Sequence, residues 1–335
     1  MTGMQNVQNL CVLTPLQEGI LFHQLRDPGH AYFEQASFRF SGPLDPDIFE
    51  RSWQQIVERH DIFRTIFVHE KVPRPLQVVI HRAIAPFHFQ DLTRLAESDR
   101  KQVIDQYRKD DLASPFELHR KPPIRFALFR LAGDQHEFVW SFHHILMDGW
   151  SLAIIQQDFE ATYLALSAGQ VPALPPAAQF RCYLSWLESQ NPEASLGYWR
   201  EKLVDYRKTA SLARFPEDDS GYACGEFELL INEPLSEQLK RTTRAQGITL
   251  GSVLQTLWGL VLAGYGGRQD VVFAATVSGR PAELPDAGRI VGLFINAVPV
   301  RVQANPEDSL AQLLKRVHFD AVRSLPHQYC RLRTA

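Results

Sequence analysis

Trp140-Ser141-Phe142-His143-His144-Ile145-Leu146-Met147-Asp148-Gly149-Trp150 is the stretch on which the reading of this chain turns. Residues 138–142 are aromatic and β-branched and are followed by Asp148-Gly149, which predicts a buried strand entering a turn. Side chains alternate along a strand, so Phe138, Trp140, Phe142 and His144 share one face, and Val139, Ser141 and His143 the other. The two histidines therefore have different tasks. One imidazole faces a core, and the other arrives at the strand's end, where a scaffold can aim it at a substrate. Three readings compete. Core histidines before an ordinary Asp-Gly turn are the plainest, and this suits His143. A metal site needs convergent ligands, which adjacent strand residues do not supply, and neither a His-Glu-x-x-His helix nor a Cys/His cluster occurs. In the third reading His144 is a general base or hydrogen-bond partner in acyl transfer, work suited to an imidazole.

At 335 residues the chain exceeds the usual size of one hydrophobic core, so two lobes are expected. A composition 45% hydrophobic and 22% charged is that of a globular protein and argues against disorder. A net charge of −3 with no basic stripe leaves no footprint for nucleic acid. Cys11, Cys182, Cys224 and Cys330 are scattered without metal-ligand spacing and read as reduced thiols of a cytoplasmic chain. Residues 1–10 lack a basic region followed by an apolar core, so no signal peptide is expected. The nearest approach to a membrane span, residues 253–263, is too short and contains Gln255.

Thr14-Pro15-Leu16-Gln17 predicts a helix start: Thr14 caps, Pro15 suits the first helical position, and Gln17 completes a capping box. Strands are expected over 36–40, 65–68, 76–80, 122–131 and 138–144, with 122–131 and 138–144 antiparallel neighbours. Helices are expected over 47–58, with Phe49, Trp53 and Ile56 inward, and over 98–112 and 150–166. Residues 169–178 hold Pro172, Pro175 and Pro176 without periodicity and make the best domain boundary. Beyond it the expectations are a helical, aromatic-rich stretch over 180–203, a strand over 226–231, helices over 236–246 and 250–265 (the second almost wholly buried), strands over 271–277 and 298–302, and a helix over 309–322. Gly264-Tyr265-Gly266-Gly267 follows a helix and precedes a strand, the reverse of a nucleotide-binding loop, and reads as a helix terminator. No Gly-x-Ser-x-Gly elbow occurs, which argues against a serine hydrolase.

The stretch His143-His144-Ile145-Leu146-Met147-Asp148-Gly149, followed by Trp150-Ser151-Leu152, resembles the His-His-x-x-x-Asp-Gly signature of condensation domains of nonribosomal peptide synthetases. Four further segments resemble the family's motifs in the family's order. They are Leu13-Thr14-Pro15-Leu16-Gln17-Glu18-Gly19-Ile20-Leu21-Phe22-His23, then Arg59-His60-Asp61-Ile62-Phe63-Arg64-Thr65-Ile66-Phe67, then Ser278-Gly279-Arg280-Pro281, then Val291-Gly292-Leu293-Phe294-Ile295-Asn296 through Arg301. The resemblance implies an α+β fold of two chloramphenicol-acetyltransferase-like α/β sandwich lobes in a V-shaped pseudodimer with a tunnel between them. Residues 1–170 would form the N-terminal lobe with the histidine motif, and residues 171–335 the C-terminal lobe. Two departures stand out. Phe180-Arg181-Cys182-Tyr183 puts Cys182 where the family often has Asp. Relatives also continue past a segment like His327-Gln328-Tyr329 into Pro-Leu and a further strand and helix, whereas Cys330-Arg331-Leu332-Arg333-Thr334-Ala335 lacks that pattern, so a shortened, incomplete second lobe is expected.

The resemblance implies that the amine of an acceptor aminoacyl thioester attacks a donor acyl or peptidyl thioester. Both substrates would ride on the 4'-phosphopantetheine of peptidyl carrier proteins, with no directly bound cofactor and no metal. Partners would be donor and acceptor carriers and an adjacent adenylation domain, the chain being a monomeric module or part of a multidomain synthetase. A thioester is already activated, so orientation, a neutral amine and oxyanion stabilisation remain to be supplied. A free α-amine titrates at roughly 7.7–8.0, so only modest base help is needed. By resemblance His144 is catalytic, either taking the proton or positioning the amine. His143, Asp148, Gly149 and Arg280 would be structural at the active site, with His143 packed and Gly149 allowing the turn and close approach of the pantetheine arm. Asp148 either orients the imidazole or, as the resemblance favours, turns away to pair with Arg280. Arg59, Arg64, Trp150, Ser151, Trp199 and Asn296 are candidates for tunnel or substrate contact. For Arg59 the alternative is a solvated charge at a helix C-terminus, and for Trp199 it is core packing. An epimerisation or dual domain shares the histidine motif, and a noncatalytic carrier-docking module is the alternative of another class.

Overall fold

The computed structural model describes residues 6–27, 29–206 and 228–330. The chain gathers into two compact units, the first made of Met1–Gln190 with Ser278–Ile295 and the second of Asn191–Val277 with Asn296–Ala335.

In the first unit β1 (Val7–Val12), β4 (Leu76–Ile80) and β3 (Thr65–Val68) form an antiparallel sheet in the order β1-β4-β3. A second sheet runs β2-β7-β6-β5, from β2 (Phe33–Ser41), β7 (Gln135–His143), β6 (Ile124–Arg130) and β5 (Phe87–Asp91). Its pairs are antiparallel except β5 with β6, which is parallel. The helices are α1 (Pro15–Arg26), α2 (Pro46–Arg59), α3 (Glu97–Leu112), α4 (Gly149–Ser167) and α5 (Phe180–Ser189). The expected capping box forms at α1: Thr14 Oγ1 accepts from Gln17 N–H at 3.2 Å, and Gln17 Oε1 accepts from Thr14 N–H at 2.9 Å. Period-two alternation in β7 divides the core. Phe138, Trp140 and Phe142 join one cluster, in which the Trp53 ring of α2 lies 5.2 Å from Phe138 and 4.6 Å from Phe159 of α4. Val139 joins Ala127, Phe129 and Ile104 of α3 on the opposite face. Each of these large side chains contributes about 1.5–3 kcal/mol through burial, which fixes the register and therefore where β7 ends.

The second unit contains α6 (Pro192–Leu203), α7 (Glu233–Gln246), α8 (Leu250–Gly266), β8 (Asp270–Val277), β9 (Asn296–Gln303) and α9 (Leu310–Ser324). Among the described residues its sheet is the antiparallel pair β8-β9. Leu262, Ala263, Val271, Val302, Leu313 and Val317 form a core between α8, the two strands and α9. No single helix among the described residues is long and apolar enough to cross a membrane.

Several expectations are corrected. The units do not divide at 170/171. Phe180 and Tyr183 of α5 bury against Phe294, with ring centroids 5.4 and 4.3 Å away, and Asp61 Oδ1 accepts from Phe180 N–H at 3.2 Å. Residues 171–190 therefore belong to the first unit, and so does Ser278–Ile295 with Arg280. The helical stretch expected over 180–203 is present as two helices, broken at Asn191, which caps α6, and Pro192, which lacks the N–H that would continue α5. Of the strand expected over 226–231, Glu226 and Phe227 lie outside the described residues. Residues 228–232 have no regular structure and no partner strand among those described. Helix α8 is not wholly buried: Leu254, Leu257, Trp258, Val261 and Tyr265 are exposed, and Val253, Gly259 and Leu262 face inward. At Gly259 the helix lies so close to β9 that a Cβ would sit 2.5 Å from Val302. The structure also adds β1 and β5, which the sequence reading does not contain. β1 carries polar Gln8 and Asn9 and a register shift, and β5 is a short edge strand.

Candidate active site

β7 delivers His143 as its last residue and His144 to the turn that follows. The turn is closed by Leu146 N–H donating to His143 O at 3.0 Å, and by His144 N–H donating to Tyr32 O at 2.8 Å. His143 is 3% exposed, between the rings of Tyr32 and Phe116. Its Nδ1 accepts from Ile145 N–H at 3.2 Å, which assigns the ring proton to Nε2, 3.5 Å from Gln24 Oε1. Burial, helped by the neighbouring His144, lowers its pKa to about 4. His143 is thus a neutral structural imidazole. In acid the unfolded chain binds a proton that folded His143 refuses. The stability it confers, on the order of 3 kcal/mol, is fully present above about pH 6.5 and lost as pH falls through about 4. Denaturation midpoints should therefore fall between pH 7 and pH 4.5, and less steeply in His143→Asn; equal slopes in the two proteins would refute this assignment.

His144 is half-buried, and its Nδ1 is hidden from water without a hydrogen-bond partner among the described residues. Among the described residues no carboxylate orients it, and Asp148 is committed elsewhere. Asp148 Oδ1 accepts from Ser151 N–H at 3.2 Å, as N-cap of α4, and from Arg280 Nη2 at 3.0 Å; Oδ2 accepts from Phe294 N–H at 3.1 Å. The Asp148–Arg280 pair is present, and the alternative of an imidazole-orienting Asp is not. Arg280 also donates through Nη1 to Ala287 O at 2.6 Å and Ile290 O at 2.9 Å, and lies 4.0 Å from the Phe294 ring centroid. Burial pulls the guanidinium below its usual pKa, and Asp148 opposes that shift. Ser151 is fully buried, with Oγ 3.1 Å from Asp148 Oδ1 and accepting from Gly292 N–H at 3.1 Å, so it serves this knot and offers no surface to a substrate. Gly149 begins α4 rather than making a turn, and a Cβ there would meet nothing within 4 Å.

Arg59 and Arg64 make none of the bonds of this knot. Arg59 Nε donates to Asp158 of α4 at 2.7 Å and Nη2 to Pro175 O at 2.6 Å, so it is neither solvated nor free for a substrate. Arg64 is buried beside the first sheet, donating to Gln8 Oε1 at 2.6 Å and to Ile80 O; burial lowers its pKa. Trp150 is exposed next to the knot, its indole N–H tied to Gly288 O at 3.1 Å. In the second unit Trp199 is a core residue whose N–H donates to His327 O at 2.9 Å, and Asn296 Nδ2 donates to Gln328 O at 2.7 Å. Among the described residues no group of three or more His, Cys, Asp or Glu side chains is placed to hold a metal ion. The residues that sequence reasoning missed are Gly292 and Phe294, whose main chain closes the knot; their signal was the motif from Val291 to Asn296.

The family model described as the condensation domain matches residues 7–334. Tyrocidine synthase 2 of Brevibacillus parabrevis is 38% identical over 330 residues, 97% of this chain and 9% of that protein. Surfactin synthase subunit 3 of Bacillus subtilis (strain 168) is 38% identical over 327 residues, 96% of this chain and 26% of that protein. The chain thus spans a small part of the curated relatives it matches. Among solved structures, the first condensation domain of the calcium-dependent antibiotic synthetase with a substrate analogue has a TM-score of 0.73 at 23% identity, covering 98% of this chain and 77% of that one. A starter condensation domain of the rhizomide synthetase has a TM-score of 0.79 at 23% identity, covering 98% and 76%. At that identity the two structures establish the shared chloramphenicol-acetyltransferase-like α+β fold. With the family's motif segments in order and a family match over nearly its whole length, the chain belongs to the condensation domains of nonribosomal peptide synthetases.

Proposed function

We propose that this domain forms an amide bond between two thioesters borne on the 4'-phosphopantetheine arms of carrier proteins. The acceptor's α-amine attacks the donor carbonyl, the C–N bond forms as the C–S bond breaks, and the donor carrier leaves as a free thiol with the amine's proton. His144 receives the hydrogen bond of the attacking amine. The observation that carries this reading is the contrast between the neighbouring side chains. His143 is buried, hydrogen-bonded and neutral, Asp148 is fully engaged, and His144 is the partly accessible imidazole of the motif, held by neither of them. The open space at Gly149, beside the exposed Trp150, suits the approach of a slender pantetheine arm. The partners are donor and acceptor carriers, with an adenylation domain to load the acceptor.

Incubation with two loaded carriers, followed by intact-mass measurement of the acceptor carrier, tests the reading. Condensation adds the donor acyl mass to the acceptor. Unchanged masses with an inverted donor α-carbon would replace it with epimerisation, and unchanged masses and configuration would leave only docking.

A further inference from the structure

A pair of glutamines lies where the core around the His144 turn could have been apolar. Gln17 of α1 and Gln77 of β4 are 0% and 1% exposed. Their carboxamides face each other: Gln77 Nε2 donates to Gln17 Oε1 at 2.8 Å, and Gln17 Nε2 donates to Gln77 Oε1 at 3.3 Å. The second hydrogen of Gln77 Nε2 goes to Val12 O at 2.9 Å, and that of Gln17 Nε2 goes to Ile145 O at 3.0 Å. Gln17 Oε1 also accepts from Thr14 N–H at 2.9 Å. Every amide hydrogen of the pair is therefore used, and a fully satisfied buried network of this kind specifies one geometry more than it adds stability.

What the network holds is the residue that follows His144. The Ile145 N–H is fixed by His143 Nδ1, and its carbonyl by Gln17 Nε2. Both flanks of the His144 turn are thereby anchored, one to β7 and the other to the first turn of α1. We infer that Gln17 is a positioning residue, setting the depth and direction of the His144 imidazole through the Ile145 carbonyl, with Gln77 a buried structural partner that makes no bond to the turn. The inference rests on the proposed role of His144 but is read separately from it.

The test compares Gln17→Met with Gln77→Met in the 335-residue chain. Either change leaves the partner carboxamide short of a bond in the same buried place, so a purely structural pair loses stability and activity in parallel. Only Gln17→Met also releases the Ile145 carbonyl. We expect similar drops in Tm, with kcat for condensation falling about tenfold to a hundredfold in Gln17→Met at unchanged KM for both loaded carriers, as for a misplaced catalytic group. Gln77→Met should keep most of its kcat. In histidine-labelled protein the ring resonances of His144, assigned by their loss in His144→Ala, should shift or broaden in Gln17→Met and stay in place in Gln77→Met. Ring resonances unmoved in Gln17→Met would overturn the inference, as would a kcat that tracks Tm equally in both variants. Were the unmodified chain unable to condense carriers, the proposed function would fall, and the resonances alone would still decide this one.

Discussion

Asp148→Ala and Arg280→Ala should each destabilise the chain by about 3–5 kcal/mol, and the double variant by far less than their sum. The two side chains are 1% and 7% exposed, so neither charge is compensated by water when its partner is removed. Loss of the Asp148 side chain leaves a buried guanidinium with the Ala287 and Ile290 carbonyls and a long 3.4 Å contact to Ser151 Oγ, and takes the carboxylate acceptor from the N–H groups of Ser151 and Phe294. Loss of Arg280 leaves a buried carboxylate held by two backbone N–H groups and the Ser151 hydroxyl, with no charge opposite it. Either single loss therefore strands a charge, and the second removes what was stranded. Denaturant midpoints at unchanged m-values measure this. Additive losses would show that the two groups do not act as a pair.

Gly279→Ala should be comparably damaging. Its φ is +61°, in the left-handed region, which costs a residue with a Cβ about 1–2 kcal/mol. The added Cβ would lie 1.8 Å from Phe294 O, a backbone atom that no rotamer change can move aside. Displacing Phe294 also breaks its N–H bond to Asp148. A loss of about 3 kcal/mol or more is expected, since strain and a lost buried bond act together. Gly149→Ala is the control: its Cβ enters open space, and replacing glycine within a helix is favourable by roughly 0.5–1 kcal/mol. Equal stability of Gly279→Ala and the unmodified chain would mean that the close approach of Phe294 is not needed.

Local patterns were readable in the sequence, and long-range ones were not. Alternation from Phe138 to Phe142 placed β7 and separated the environments of the two histidines, because one face of the strand had to be buried. Thr14-Pro15-Leu16-Gln17 read as a cap because capping is decided within four residues. The sequence could not say that Ser278–Ile295 belongs with the first unit, since that depends on where Phe180, Tyr183 and Phe294 pack. Helix α8 misled for a related reason: its composition is apolar all round, and only the packing of β8, β9 and α9 decides which side is covered. At the site, resemblance pointed to Arg280 as the partner of Asp148. The second bond of Gln17, to a carbonyl 128 residues away, left no trace in spacing or composition.

The most direct measurement is the intact mass of the acceptor carrier after incubation with a loaded donor and either the unmodified chain or His144→Ala, with Tm recorded for both proteins. The account predicts an acceptor heavier by the donor acyl group with the unmodified chain. With His144→Ala the rate should fall by about 10²–10⁴-fold at unchanged Tm, the range expected for removing a group that manages a proton in the transition state. A well-folded His144→Ala protein that condenses the carriers at the full rate would contradict it.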